Sequence, residues 1–294
     1  MPELKVAVVG IPGKWSTEVL ADALEQRTGF RLVVDMAEVI LDLSEGRLLY
    51  QGVDLAALDG IVVKKISREY NRSTLDRLEM LRFVEARGVP VFSSSESILG
   101  LINRLSCTVT LRTHGIPMPK TVITENIDEA IFAVQQFGSA VCKPLFSTKA
   151  RGMCIVSADQ EQVAIAEELS EFKKDNPVMY IQQKIPLLGR DLGLIFLGGQ
   201  YLGAYARVSQ GDSWNTTINS GGRYELAEPP SETVELARQA QAPFDLDFTT
   251  VDVAETDDGP VIFEVSAFGG FRGALEGTGI DAAALYSEYV LERL

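Results

Sequence analysis

The stretch TTVDVAETDDGPVIFEVSAFGG, residues 249 to 270, decides how this chain is read. Apolar residues recur at Val251 and Val253, then at Val261, Phe263 and Val265, the period of strands that each bury one face. Between them, Thr256-Asp257-Asp258-Gly259 supplies turn chemistry. The segment is expected to be a β-hairpin, and its register fixes what Asp252 and Glu264 do. A three-residue loop from Asp257 to Gly259 sets Asp252 opposite Glu264, with both side chains on one face. A two-residue Asp258-Gly259 turn pairs Asp252 with Val265 and inverts the facing. Like charges directly opposed destabilise a sheet, so the first register points to a divalent cation between them, held by hard oxygen ligands. Two acids solvated on an exposed face is the alternative, and spacing alone leaves both open.

The chain has 294 residues, 46% of them hydrophobic, which is apolar material for two or three domains with real cores. A formal charge of −14 argues against a nucleic-acid-binding surface but permits a local anion site. Cys107, Cys142 and Cys154 are odd in number and form no CxxC pair, so reduced thiols in a cytoplasmic protein are expected, with Cys142 in a strand core. His114 is the one histidine, which excludes zinc sites of the Cys/His kind and leaves little for a histidine-based triad. The N-terminal MPELKVAVVG reads as a first strand and not as a signal peptide. The longest uncharged run, Leu192 to Ala206, is glycine-interrupted and shorter than the ~20 residues that span a bilayer, so no membrane partner is expected.

Along the first hundred residues, KVAVVG, FRLVVD, GIVVKK and VPVFSS alternate with helical stretches near Thr17 to Arg27 and Ser73 to Arg87, with Ser73 and Asp76 suited to a helix start. A polar hairpin, LDLSEGRLLYQG, interrupts them. A small, largely parallel α/β domain is expected. GIPGKWST, residues 10 to 17, fails the spacing of a phosphate loop and is better read as a turn entering a helix near Ser16. Residues 95 to 114 are helix-rich, and GIPMPKTVIT then marks a connector. AVCKPLF and MCIVSA read as strands around the loop STKARG, before a helix from about Gln160 to Lys174. VMYIQQKI, DLGLIFLGG, QYLGAYARV and the opening hairpin make a mainly antiparallel sheet, closed by a helix from Ala282. The fold class is α/β and α+β.

Lys143 ends a strand beside the polar loop Ser147-Thr148-Lys149-Ala150-Arg151-Gly152, a point charge and backbone N–H groups suited to phosphate oxygens. Gln182-Gln183-Lys184-Ile185 offers backbone groups and an apolar wall to a purine, or is an ordinary strand. Arg207 ends the strand AYARV.

The ordered series INRL, GIPMPKT, VCKP with its loop, YIQQKI with nearby Asp191, GAYARV, NSGG and VDV…DGPVIFEVSAFGG resembles the ATP-grasp superfamily. It is most similar to the branch of carboxylate–amine ligases like the ribosomal protein S6 glutamate ligase, over roughly residues 98 to 275. The resemblance implies an N-terminal α/β domain (1–97), a central subdomain with the phosphate loop (98–178) and a C-terminal subdomain with the metal hairpin (179–294). It implies that Arg104, where the family usually has lysine, and Lys143 contact phosphates, and that the loop from Ser147 through Thr148 and Lys149 to Gly152 closes over them. Gln182, Gln183, Lys184 and Ile185 would form the adenine hinge, with Asp191 near the ribose. Asp252, Glu264 and Ser266 would hold Mg2+, or Mn2+, against ATP, and Arg207 would stabilise the transferring phosphoryl group. A substrate carboxylate would attack the γ-phosphate to give an acyl phosphate, and an amine would displace phosphate to leave an amide, with glutamate or another amino acid as the added group. The substrates implied are small-molecule or peptide carboxylates and amines, with self-association left open. This chemistry needs no histidine base.

Three departures from the family pattern stand out. Ser266 occupies the place of the usual asparagine, the loop carries one glycine, and SWNTTINSGG offers Asn215 and its neighbours where relatives have basic residues. Arg223 and Arg272 are the remaining cationic candidates for substrate. A small-molecule kinase on this fold, or a nucleotide-binding regulatory module with little turnover, stays open beside the ligase.

Overall fold

The computed structural model describes residues 4–147, 150–187, 189–209 and 221–294. Thr148, Lys149 and Asn215 therefore lie outside the described residues. The N-terminal part runs β1 (Val6–Val9), α1 (Trp15–Thr28), β2 (Val33–Val34), β3 (Ile40–Asp42), β4 (Arg47–Tyr50), β5 (Val53–Asp54), β6 (Gly60–Val63), α2 (Arg72–Ala86) and β7 (Val91–Phe92). Strands β2-β1-β6-β7 form an all-parallel sheet. Continuous apolar runs such as Val6 to Val9 suit it, because helices or other layers cover both faces. The polar hairpin gains a third strand, giving a small β3-β4-β5 sheet. Helix α2 is capped not at Ser73 but by Asn71, whose side chain and that of Thr74 cap one another's backbone N–H groups.

Next come α3 (Ser95–Ile102), α4 (Arg104–Thr113), β8 (Thr121–Thr124), α5 (Ile127–Phe137), β9 (Ser139–Lys143), β10 (Cys154–Ser157), α6 (Gln162–Asp175) and β11 (Met179–Gln183). These strands form an antiparallel sheet, β10-β9-β11-β8, with its own core against α5 and α6. Strand β11 is hydrogen-bonded inside this sheet, although residue 179 was expected to open the third unit. Cys142 and Cys154 face each other across β9 and β10 as thiols, and His114 ends α4 with its ring on the Thr110 carbonyl.

The last part comprises β12 (Arg190–Leu197), β13 (Gln200–Val208), β14 (Arg223–Ala227), α7 (Ser231–Gln241), β15 (Phe248–Ala254), β16 (Val261–Ser266), α8 (Phe271–Thr278) and α9 (Ala282–Leu291). The antiparallel order is β14-β13-β12-β15-β16. One face of this sheet (Leu192, Leu194, Ala204, Val251, Val253, Ile262) is buried in a core shared with the N-terminal sheet region, α3 and α4. On the other face, Tyr205 and Phe248 pack under α8 and α9, while Asp191, Arg207, Asp252 and Glu264 share the remainder by register.

The hairpin reaches its expected pairing by an unexpected route. Asp252 is opposite Glu264, but the turn is a two-residue Asp257-Asp258 turn, closed by Gly259 N donating to Thr256 O at 3.0 Å. That turn alone pairs Val253 with Ile262 and would put Asp252 against Phe263. A β-bulge between Asp252 and Val253 inserts one residue on the β16 side and restores the facing. Ile262, fully buried, therefore takes the core place expected of Phe263.

Tyr205 is held by glycines. A Cβ on Gly193 or on Gly273 would lie 2.4 Å from its ring. Within a helix, Gly→Ala normally gains about 1 kcal/mol. At Gly273 the buried ring cannot retreat, so overpacking of roughly 1–3 kcal/mol should win. Gly273→Ala is expected to lower the thermal midpoint, and an unchanged or raised midpoint by calorimetry would show that Tyr205 can move.

Candidate active site

The five-stranded sheet builds the acidic half of the site. Register sets Arg207 beside Asp191, Gly193 beside Asp252, and Asp252 beside Glu264. The Arg207 guanidinium donates to both oxygens of Asp191, its Nε lying 3.2 and 3.1 Å away, and its Nη2 reaches Asp252 Oδ2 at 3.0 Å. Asp191, 4% exposed, is thus the buried anchor of Arg207. Burial pushes the Asp252 carboxyl up; Arg207 opposes this, and Glu264 and Asp191 add to it. For Glu264, burial would also raise the carboxyl, yet Arg104 and Lys143 outweigh it and hold it below the usual carboxylate range. Ser266 follows Glu264 by two residues, on the same face, opposite Thr250.

The central sheet and α4 build the cationic half. Arg104, the first residue of α4, donates from Nη1 to Glu264 Oε2 at 2.9 Å and from Nε to Pro144 O at 3.3 Å. It therefore ties the stem of the phosphate loop to the metal hairpin. Lys143 ends β9, with Nζ 2.5 Å from Gln182 Oε1 and 5.4 Å from the centre of the Phe263 ring that the bulge turns to this face. Burial, then the neighbouring Arg104, pushes its ammonium down to about 7.

Gln182, the first residue of the expected hinge, is the next-to-last residue of β11. It is 1% exposed and donates from Nε2 to Thr121 Oγ1 and Tyr180 Oη while accepting from Lys143. Its side chain orients the lysine. Gln183 N donates to Lys120 O and Lys184 N to Ser139 O, so of the expected hinge only Ile185 N–H and the carbonyls lie beyond these ladder bonds.

In the loop, Ser147 Oγ donates to Arg151 O at 2.7 Å, and Gly152 takes φ 69°, a left-handed turn that glycine adopts without strain. Arg223 sits opposite Val208, on the face away from Asp252, and its guanidinium pairs with Glu225 at 2.6 Å. Its neighbour Tyr224, opposite Arg207, shares the site face and packs edge-on to Tyr205. Arg272 lies 5.3 Å from the Trp15 ring and 3.6 Å from Glu276.

The sequence reading missed Lys64, Lys65, Tyr70 and Tyr224. Lys64, 4% exposed, donates to the carbonyls of Phe268 and Gly269, just past Ser266, and burial pushes it down to about 7. Lys65 Nζ donates to Tyr70 Oη at 2.7 Å. The available signal was a Lys-Lys pair at the carboxyl end of a strand in a parallel sheet, the edge at which such sheets bind ligands.

Lys143 from the central sheet and Arg104 from α4 thus face the carboxylates of the five-stranded sheet. Residues 102–290 match the RimK-like ATP-grasp domain, and the chain belongs to that family. It is 26% identical, over its full length and 99% of the relative, to the tetrahydromethanopterin:α-L-glutamate ligase of Methanosarcina acetivorans. It is also 26% identical to a probable α-L-glutamate ligase of Rhodopirellula baltica, over 98% of this chain and 71% of that protein. Among solved structures, the ATP-grasp ligase PsnB complexed with minimal precursor aligns at TM-score 0.77 and 18% identity, over 99% of this chain and 100% of PsnB. The RimK domain ATP-grasp protein of Sphaerobacter thermophilus aligns at 0.73 and 21% identity, over 98% and 99%. At these identities the structural matches establish the fold. The family places the chain among ATP-dependent carbon–nitrogen ligases.

The state of Lys143 makes a contact with phosphate open to measurement. With an ammonium near 7, the side chain is mostly neutral at pH 8, and bound phosphate oxygens favour the charged form. In metal-free solution ATP binding at pH 8 is expected to take up protons, and affinity to fall from pH 7 to 9. Calorimetry in buffers of different ionisation enthalpy should show less uptake for Lys143→Met. Equal uptake would remove Lys143 from the phosphate contacts.

Proposed function

We propose that this protein is an ATP- and Mg2+-dependent carboxylate–amine ligase of the cytoplasm that joins an amino acid, glutamate by analogy with its relatives, to a small-molecule or peptide carboxylate. The observation that carries this reading is Asp252 opposite Glu264, each held by its own arginine. Among the described residues no group of three or more His, Cys, Asp or Glu side chains could enclose a metal. Two carboxylates and the Ser266 hydroxyl suit Mg2+, which keeps waters and binds through one or two carboxylates plus substrate phosphates. Bound there, it would neutralise phosphate charge.

The residues themselves divide the remaining work. Lys143 and Arg104 hold phosphate oxygens, the latter while anchored to the loop stem, and the loop around Ser147 and Gly152 covers them. Ile185 and the carbonyls of Gln183 and Lys184 meet the adenine edge. Arg207, fixed by Asp191, points its remaining donors at the phosphoryl group in transfer. A carboxylate oxygen attacks the γ-phosphorus and ADP leaves. An amine nitrogen then attacks the acyl carbon, loses its proton, and inorganic phosphate departs.

ADP release should require both a carboxylate and an amine. Release with a carboxylate alone, leaving a stable phosphorylated product, would make the protein a kinase. Nucleotide binding without turnover would make it a regulatory module. Asp252→Asn and Glu264→Gln are each expected to lower metal-dependent turnover at least about a hundredfold; the thermal midpoint should hold or rise for Asp252→Asn, whose carboxyl burial pushes up, and fall for Glu264→Gln, whose carboxylate Arg104 and Lys143 favour. Near-normal turnover in either variant would sink the metal assignment. Ser266→Asn should change the Mg2+ concentration at half-maximal rate, and an identical Mg2+ dependence would take residue 266 out of the metal's reach.

A further inference from the structure

The N-terminal sheet has a topological switch point. From β1 the chain moves to β2 on one side, and from β6 it moves to β7 on the other. Open parallel sheets bind ligands in the crevice outside the carboxyl ends of the strands at such a point. The loops that leave those ends are residues 10–14 and residues 64–71.

The 64–71 loop packs against the turn that follows β16, beside the carboxylate half of the candidate site. Lys64 clamps the turn after β16 by donating to the carbonyls of Phe268 and Gly269. Tyr70 packs on Phe268, with ring centres 6.4 Å apart, and its hydroxyl feels the charge of Glu264. Lys65 Nζ lies 2.7 Å from Tyr70 Oη, 4.3 Å from the centre of the Tyr70 ring and 4.9 Å from that of Phe268. Lys65 and Tyr70 are half-buried, in a protein of net charge −14. The phosphates already have Arg104, Lys143 and Arg207. What Lys65 and Tyr70 add is one point charge, one hydroxyl and two aromatic faces. A polyphosphate needs several cations and N–H donors, whereas a carboxylate on a short alkyl chain matches this set.

Resting on the ligase reading above, we propose that Lys65 and Tyr70 form the subsite that holds a substrate carboxylate that does not react, with its alkyl chain along the Phe268 and Tyr70 rings. Lys65 supplies the ion pair. Tyr70 accepts one Lys65 proton and donates its own, which burial keeps on the phenol, to the second carboxylate oxygen. Two substrates could carry this group: the amino acid that brings the amine, or the acid that becomes acylated.

The enzyme is first saturated with Mg2+ and a non-hydrolysable ATP analogue. It is then titrated with L-glutamate, standing for the amino acid, and with glutarate, standing for the acid. Lys65→Gln should weaken one of the two probes about tenfold or more, Tyr70→Phe should weaken the same probe to a lesser extent, and Lys65→Arg should retain most of its binding. Nucleotide affinity should be unchanged in all three variants. Loss confined to L-glutamate assigns the subsite to the amino acid; loss confined to glutarate assigns it to the acid. The proposal is overturned if neither probe changes in Lys65→Gln, or if wild-type enzyme that has bound the nucleotide takes up neither probe, and in both cases the ligase reading survives. Failure of wild-type enzyme to bind the nucleotide would remove the ligase reading and this subsite with it.

Discussion

Two carboxylates opposed on neighbouring strands are the constraint around which the molecule is organised. Directly opposed Cβ atoms lie about 5 Å apart, where two unit charges at an effective dielectric near 20 repel by about 3 kcal/mol. Arg207 meets Asp252 at 3.0 Å from the sheet, and Arg104 meets Glu264 at 2.9 Å from α4. Each attraction is of the order of the repulsion, so the pair persists without a cation and stays poised to accept one. The arrangement also explains why Asp191 is buried. With Asp252 alone, the Nε–H of Arg207 would be a buried donor without an acceptor, and Asp191 supplies one.

Arg207 comes from the five-stranded sheet and Arg104 from the start of α4, and Arg104 reaches both that sheet and the end of β9. Arg104 touches Glu264 and the carbonyl of Pro144 together, so any closure of the loop between β9 and β10 is felt at the metal hairpin. Lys143 lies on the same path, steered by Gln182 from below and screened from water by Phe263. A lysine kept half-neutral by burial costs little desolvation, and an anion brought beside it would favour its charged form.

Much of this was legible in the sequence, and the exceptions have physical causes. Strand periodicity and the order of motifs located the antiparallel sheet, the phosphate-loop stem and the acids. The bulge was not legible, because Ile262 and Phe263 are both apolar and either can fill the core position. Only the tertiary fit reveals that Phe263 is needed on the other face. Arg223 and Tyr224 illustrate the same limit, since one step of register decides which faces the site, and the register lies across β13 and β14. The hold of Gln182 on Lys143 was not legible, because its partners, Thr121 and Lys143, come from two other strands. The N-terminal residues showed only a Lys-Lys pair at a strand end, because their meaning lies in contacts with Phe268 and Gly269 some two hundred positions away. The core shared by the first and last sheets makes those contacts part of the fold.

The serine at position 266 takes on a different sense within this arrangement. A serine reaches less far than an asparagine, so it can serve a cation only where its backbone is held in place. Three contacts hold it. Thr249 Oγ1 donates to Ser266 O at 2.7 Å, Lys64 grips the carbonyls of Phe268 and Gly269 in the following turn, and a Cβ on Gly269 would fall 2.2 Å from the Phe248 ring. The turn is therefore packed from both sides, by the hairpin and by a lysine of the N-terminal domain. A short side chain on a rigid turn trades reach for placement, and a single buried lysine links that placement to the loop after β6.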